Sequence, residues 1–178
     1  MLSNKIRITV RPQKLARYSE KHARFYRKYA IAVFRTLRKP LFQNFLNWMM
    51  KRENIEEHMV TNVQVMAFPF RKKNGKGLAG KRNLKGEIFI YPKRLDFCRK
   101  LIRNCGKEKV YSYIKNRARA TLIHELLHVK HLGDEGKVRE LTRKYFYNFV
   151  RHQNTENSKS LHNYENVAHA VKTFYFAF

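Results

Sequence analysis

Ala120-Thr121-Leu122-Ile123-His124-Glu125-Leu126-Leu127-His128 is the stretch on which the fold turns. It reads H-E-x-x-H inside an apolar run. Leu122, Ile123, Leu126, Leu127 and Val129 surround the two histidines, and neither Pro nor Gly falls between Val110 and Leu132. That pattern predicts a single helix buried over most of its circumference. Residues four apart on a helix share a face, one turn apart. His124 and His128 therefore project from the same side, where two neutral ring nitrogens can reach one Zn²⁺ at about 2.0–2.1 Å. Glu125 directly follows the first imidazole, which sets its carboxylate beside such a metal rather than on it. A helix whose histidines merely met polar neighbours would bury two imidazoles and a carboxylate without compensation, at considerable cost.

A zinc centre that does chemistry needs a third protein ligand and one open position. The chain continues Val129-Lys130-His131-Leu132-Gly133-Asp134-Glu135-Gly136. Gly133 is a natural helix stop. A chain that turns there can carry Asp134 back toward the metal, and Asp134 is the first candidate for the third ligand. His131 is an alternative on the face of His128, although a straight helix carries its ring a turn further along the axis. Glu135 and then Glu140 follow. Asp134 and Glu135 also suit a second role, the N-cap and first-turn acid of a helix beginning near Gly136, where the helix dipole favours negative charge. Glu135 fits that capping role better than metal binding; Asp134 fits both equally.

With this motif and an acid beyond it, the chain resembles the zincin metallopeptidases, in particular the small SprT-like and minigluzincin kinds. The resemblance covers residues 59–149, and only the helix motif is specific. It departs from the metzincin pattern, with His131 where those proteins have Gly and Asp134 where they have a third His. The resemblance implies a small antiparallel or mixed sheet packed on the H-E-x-x-H helix, in an α+β fold. It implies Zn²⁺ as cofactor, a polypeptide substrate, and Glu125 as the general base that takes a proton from an activated water. In gluzincins the third ligand is a Glu on the following helix, a place that Glu140 would fill. A Tyr or His usually supports the oxyanion, and Tyr91, Tyr113 and Tyr145 are all available.

Two β-rich runs precede the motif, at residues 62–70 and 86–91, separated by a Gly- and Lys-rich stretch that reads as a hairpin loop. The resemblance makes the second run the rim strand that pairs with extended substrate. Elsewhere the periodicity predicts a strand at residues 5–10, basic helices over 13–52 with a break near Pro40, and helices at 94–104, 108–131 and 134–153. The organisation expected is a basic helical N-terminal addition (1–58), a zincin-like core (59–153), and a polar linker with an aromatic tail (154–178).

The second informative feature is charge. Lys and Arg number 39 against 13 acids, a formal net charge of +26. Such an imbalance costs self-repulsion unless a polyanion offsets it, and nucleic acid is the usual partner. The rival reading is thus a basic nucleic-acid or ribonucleoprotein binder whose zinc site is structural or vestigial. Phe25, Tyr26, Tyr29, Phe34, Phe42, Phe45 and Trp48 are spaced to stack on bases, but at helical spacing they read first as a core stripe. No apolar run reaches the length of about 18 residues that a membrane span requires. The opening Met1-Leu2-Ser3-Asn4-Lys5 lacks the apolar run of a secretory signal, and Cys98 and Cys105 stand too far apart on a helix for an easy disulfide. A cytoplasmic location with free thiols is the expectation.

Overall fold

The computed structural model describes residues 6–11, 19–72 and 74–156. Among them the chain runs β1 (Ile8–Arg11), α1 (Glu20–Leu37), α2 (Pro40–Arg52), β2 (Asn62–Met66), β3 (Phe70–Arg71), β4 (Gly77–Leu78), β5 (Gly80–Arg82), β6 (Glu87–Ile90), α3 (Leu95–Cys105), α4 (Lys107–Lys130) and α5 (Glu135–Glu156). The class is α+β. The linker and tail expected at 154–178 lie outside the described residues except for the last turn of α5.

Four strands form a mixed sheet in the order β1-β2-β6-β5. β1 runs parallel to β2 and β2 parallel to β6, while β5 returns antiparallel along β6. Parallel pairing needs a crossover, and α1 with α2 supplies the one between β1 and β2. Val63, Val65, Ile88 and Ile90 alternate with more exposed neighbours and turn one sheet face inward. That face meets α4, the motif helix, which is buried all round from Arg117 to Leu127. α1 and α3 flank α4, and α5 lies along it.

Residues 1–58 contribute more than an addition to a separate core. β1 extends the sheet, and Tyr29, Val33, Leu37, Phe42, Leu46 and Met49 join one hydrophobic cluster with Leu122, Leu126, Val138, Phe146 and Phe149. The N-terminal aromatics are core, as their spacing predicts: Tyr26, Tyr29 and Phe42 are buried, and Phe25, Phe34 and Phe45 pack against the buried set. Trp48 alone among them is largely exposed, edge-on to Tyr145 and capped by the Arg52 guanidinium.

Two arginines of α4 are drawn into this core. Arg117 donates to the Tyr91 carbonyl at 2.6 Å, tying α4 to the end of β6. Arg119 lies over the rings of Phe149 and Phe42 at 5.0 and 5.8 Å. A desolvated guanidinium on an aromatic face gains about 2 kcal/mol, which offsets part of its burial cost. Burial still pulls the Arg119 pKa down to about 10.

Both cysteines are free, Cys98 buried and Cys105 exposed. Burial pushes the Cys98 thiol up to about 11 against the opposing pull of Arg117 and Lys93. At pH 8 Cys98 is therefore a covered, protonated thiol, and only the thiolate reacts. Native protein titrated with an aromatic disulfide reagent at pH 8 should show one fast thiol, the second appearing with denaturant. Two fast thiols in the native state would contradict the placement of α3.

Candidate metal centre

α4 reaches the site as an unbroken helix, so the two histidines stand one turn apart on it, as their spacing requires. Their Nε2 atoms are 3.1 Å apart, with the rings nearly perpendicular. α4 ends at Lys130, and Gly133, with φ of +82°, supplies the left-handed turn that reverses the chain. α5 then begins at Glu135 and packs back along α4 through Val138, Thr142, Tyr145, Phe146 and Phe149, all buried.

That reversal delivers Glu135, not Asp134, to the histidines. The Glu135 carboxylate stands 3.2 Å from His128 Nε2 through Oε2 and 3.7 Å from His124 Nε2 through Oε1. These three side chains are the cluster of donor atoms within 4.8 Å of one another that the described residues contain. Asp134 takes the capping role instead: its Oδ1 accepts from the Lys137 backbone N–H at 2.9 Å. Of the acids weighed for the third position, Glu135 is the one brought to the histidines, and Asp134 takes the cap, one of the two roles that suited it equally. His131 also leaves the site, its Nε2 donating to Glu53 Oε2 at 3.4 Å. Glu140 lies five residues beyond Glu135, about 140° further round α5, and faces solvent.

The donor set fits a divalent cation. Two ligands at about 2.0–2.1 Å in a tetrahedral shell stand about 3.3–3.4 Å apart, close to the nitrogen and oxygen separations observed. The tautomer is also set. The Thr142 hydroxyl gives its proton to the Val138 carbonyl at 2.6 Å, so at 3.3 Å it can only accept from His124 Nδ1–H. His124 Nε2 is then the unprotonated ring nitrogen, the acceptor that faces His128 Nε2. This is the outer-shell support that metal-bound imidazoles generally have. Burial first, then the like charge of His128, pulls the His124 pKa down to about 4, which keeps the ring in its neutral, ligating form. Burial acts to raise Glu135, but the Arg139 hydrogen bond at 2.8 Å and the two imidazoles hold it below the ordinary range.

Glu125 points to the other wall of the site. A Cβ on Gly80 would lie 2.7 Å from Glu125 Oε1 and 2.6 Å from Thr121 Cγ2, so only glycine lets β5 lie this close to α4. The Arg82 backbone N–H donates to the Glu125 carboxylate. Burial, then the facing Glu135 charge, pushes the Glu125 pKa up to about 7. A cavity of about 630 Å³ opens over His124, Glu125, His128 and Glu135, with β5 along one side.

The rim strand is also corrected. β6, the run expected to pair with substrate, is sandwiched between β2 and β5, and the edge beside the cavity is β5. Among the three tyrosines, Tyr113 sits in the core and Tyr145 donates to Glu53, whereas Tyr91 interacts electrostatically with Glu125. Thr142, Gly80 and the Arg82 amide are site residues that sequence reasoning missed. Thr142 and Glu135 had one available signal: both fall on the α5 stripe with Val138 and Phe149.

No protein-family model, curated protein or solved structure matches the chain.

Glu135→Gln should fold normally and lose zinc affinity by about 10-fold or more, as measured by competition with a chromogenic chelator. Asp134→Ala should keep its zinc and lose about 1 kcal/mol of stability through the missing cap. The reverse pattern would return the third position to Asp134.

Proposed function

We propose that this chain is a zinc-dependent metallopeptidase of zincin-like fold. The observation that carries the reading is the convergence of His124, His128 and Glu135 with the separate, buried Glu125 alongside them. Three ligands leave a fourth position open to the cavity, as in catalytic rather than structural zinc sites. A cation held there supplies Lewis acidity, polarising an acyl oxygen and making water a stronger acid.

Glu125 does the proton chemistry. It is adjacent to the ligands without belonging to them, and a carboxylate with a pKa near 7 is matched to taking and returning a proton at neutral pH. It accepts a proton as the water oxygen bonds to the carbonyl carbon. It returns that proton to the departing nitrogen as the C–N bond breaks. The Arg82 N–H holds it in place during both transfers. β5, an edge strand beside the cavity, can add an extended peptide to the sheet and bring the scissile bond over the site.

Glu125→Gln should retain zinc and lose turnover by several orders of magnitude, with peptide cleavage followed by mass spectrometry. Wild type stripped with a chelator should be inactive and regain activity on adding Zn²⁺. A Glu125→Gln variant as active as wild type would refute the assigned role.

A second reading, compatible with the first, concerns the surface. The outer face of α1 exposes Lys21, Arg24, Arg27, Lys28, Arg35 and Arg38, with Glu20 as its one acid. At 18 residues α1 offers about 27 Å of cationic surface, and it faces solvent rather than the metal cavity. We infer that this face binds nucleic acid through phosphate contacts, without reading sequence. Replacing Lys21, Arg24, Lys28 and Arg35 with Ala should reduce the slope of log K against log salt by about 3 to 4 units on duplex DNA. An unchanged slope would remove α1 from the interface.

A further inference from the structure

The walls of the cavity differ chemically from its floor. Lys72, Lys81, Arg82 and Arg139 line it, and its acidic lining residues are Glu125 and Glu135, both at the metal site. Arg139 is paired with Glu135. Lys72, Lys81 and Arg82 form no ion pair among the described residues, although the charges of Lys72 and Arg82 act on Glu125 at the floor of the cavity. Lys81 and Arg82 sit on β5, at the edge where an added strand would run, and Lys72 sits in the turn between β3 and β4.

A second observation concerns the rim. The two most exposed large apolar side chains among the described residues are Leu84, fully exposed, and Leu132, 75% exposed. Both line this same cavity, Leu84 just beyond β5 and Leu132 in the turn between α4 and α5. Single exposed leucines are ordinary, but a pair bracketing one cleft offers apolar contact to whatever enters it. A phosphate backbone makes no use of such contacts; a polypeptide does.

We propose that the cleft selects acidic polypeptide segments, with Asp or Glu side chains on Lys72, Lys81 and Arg82 and an apolar residue between Leu84 and Leu132. This assignment rests on the metallopeptidase reading for its catalytic consequence, but the binding it implies can be measured separately. The selectivity comes from positioned cations rather than from net charge, because the free edge of β5 fixes the register in which a peptide passes them. Each exposed pair contributes modestly, about 0.2–1 kcal/mol, so discrimination accumulates over the three.

The test uses the full chain loaded with Zn²⁺ and three fluorogenic peptides of equal length and leucine content, carrying Glu, Gln or Lys at matched positions. Cleavage gives kcat/KM for wild type, and fluorescence anisotropy gives Kd for the turnover-deficient Glu125→Gln chain. The Glu peptide should exceed the Gln peptide by about 5- to 30-fold in both measures, with the Lys peptide weakest. Lys72→Ala with Lys81→Ala should lower that ratio at least threefold. Leu84→Ser with Leu132→Ser should weaken all three peptides together and leave the ratio intact. Arg103→Glu with Lys107→Glu, exposed at the end of α3 and the start of α4 and outside the cavity lining, should change nothing. Equal treatment of the three peptides, or a preference abolished equally by the Arg103, Lys107 variant, overturns the proposal. So does a single-stranded oligonucleotide that displaces the Glu peptide from wild type and loses its hold in the Lys72, Lys81 variant, since the cleft would then belong to nucleic acid. Cleavage without charge preference would leave the metallopeptidase reading standing and remove this one. Selective binding by Glu125→Gln with no cleavage by wild type would do the reverse.

Discussion

α5 must lie along α4 with Thr142 against His124, and the rest of the site depends on that packing. One hydroxyl settles two questions at once. It gives its proton back to its own helix at Val138 and receives one from the His124 ring, so the opposite ring nitrogen is left as an acceptor. The stripe that puts Thr142 there, Val138 through Phe149, is the apolar face that buries α5. Glu135 sits one turn before that stripe begins and is carried to the histidines by the same packing. The hydrophobic contact between two helices therefore positions the carboxylate of the candidate metal cluster and fixes a tautomer, with no loop geometry required beyond the turn at Gly133.

Much of this was legible in the sequence. The extent of α4, the break before Pro40, the strand ending near Tyr91 and the turn at Gly133 follow from periodicity and from where proline and glycine stand, whereas the run 62–70 divides into β2, which ends at Met66, and β3 of a separate two-stranded sheet. The third ligand was not legible by spacing from His128, because spacing along a turn says little once the chain reverses. Asp134 and Glu135 are one residue apart, and a rotation of about 100° decides which one caps and which one faces the histidines. The capping preference of Asp for a backbone N–H three residues on resolves it, leaving the half-exposed Glu135 one turn ahead of the buried stripe and facing the histidines.

β5 was illegible for a different reason. Gly80-Lys81-Arg82 has no β-branched or aromatic residue, so propensity reads it as loop. It is a strand because β6 offers it a free edge and because Gly80 allows it to rest on Glu125. Tertiary contact overrides local preference here, and it does so where the chemistry needs a wall. The same override turned two basic residues inward. Counted in sequence, Arg117 and Arg119 belong to a cationic surface; in the fold they anchor α4 through a carbonyl and through two phenyl rings.

Acids are scarce, and several of the described ones join elements. Glu53 accepts from Tyr145 and His131 and pairs with Lys130, joining the end of α2 to the end of α4 and the middle of α5. Glu87 accepts from Gln64 and Asn83 and fixes the turn between β5 and β6. Asp134 caps α5, Glu135 faces the histidines and Glu125 stands beside them. With 13 acids against 39 basic side chains, most cations find no internal counter-charge. Their repulsion is tolerable while they face water, because an ionic strength near physiological screens exposed charges beyond about 8 Å. At the cleft Lys72 and Lys81 are exposed as well, so the pull on negative charge is modest at each cation and grows only by addition over Lys72, Lys81 and Arg82.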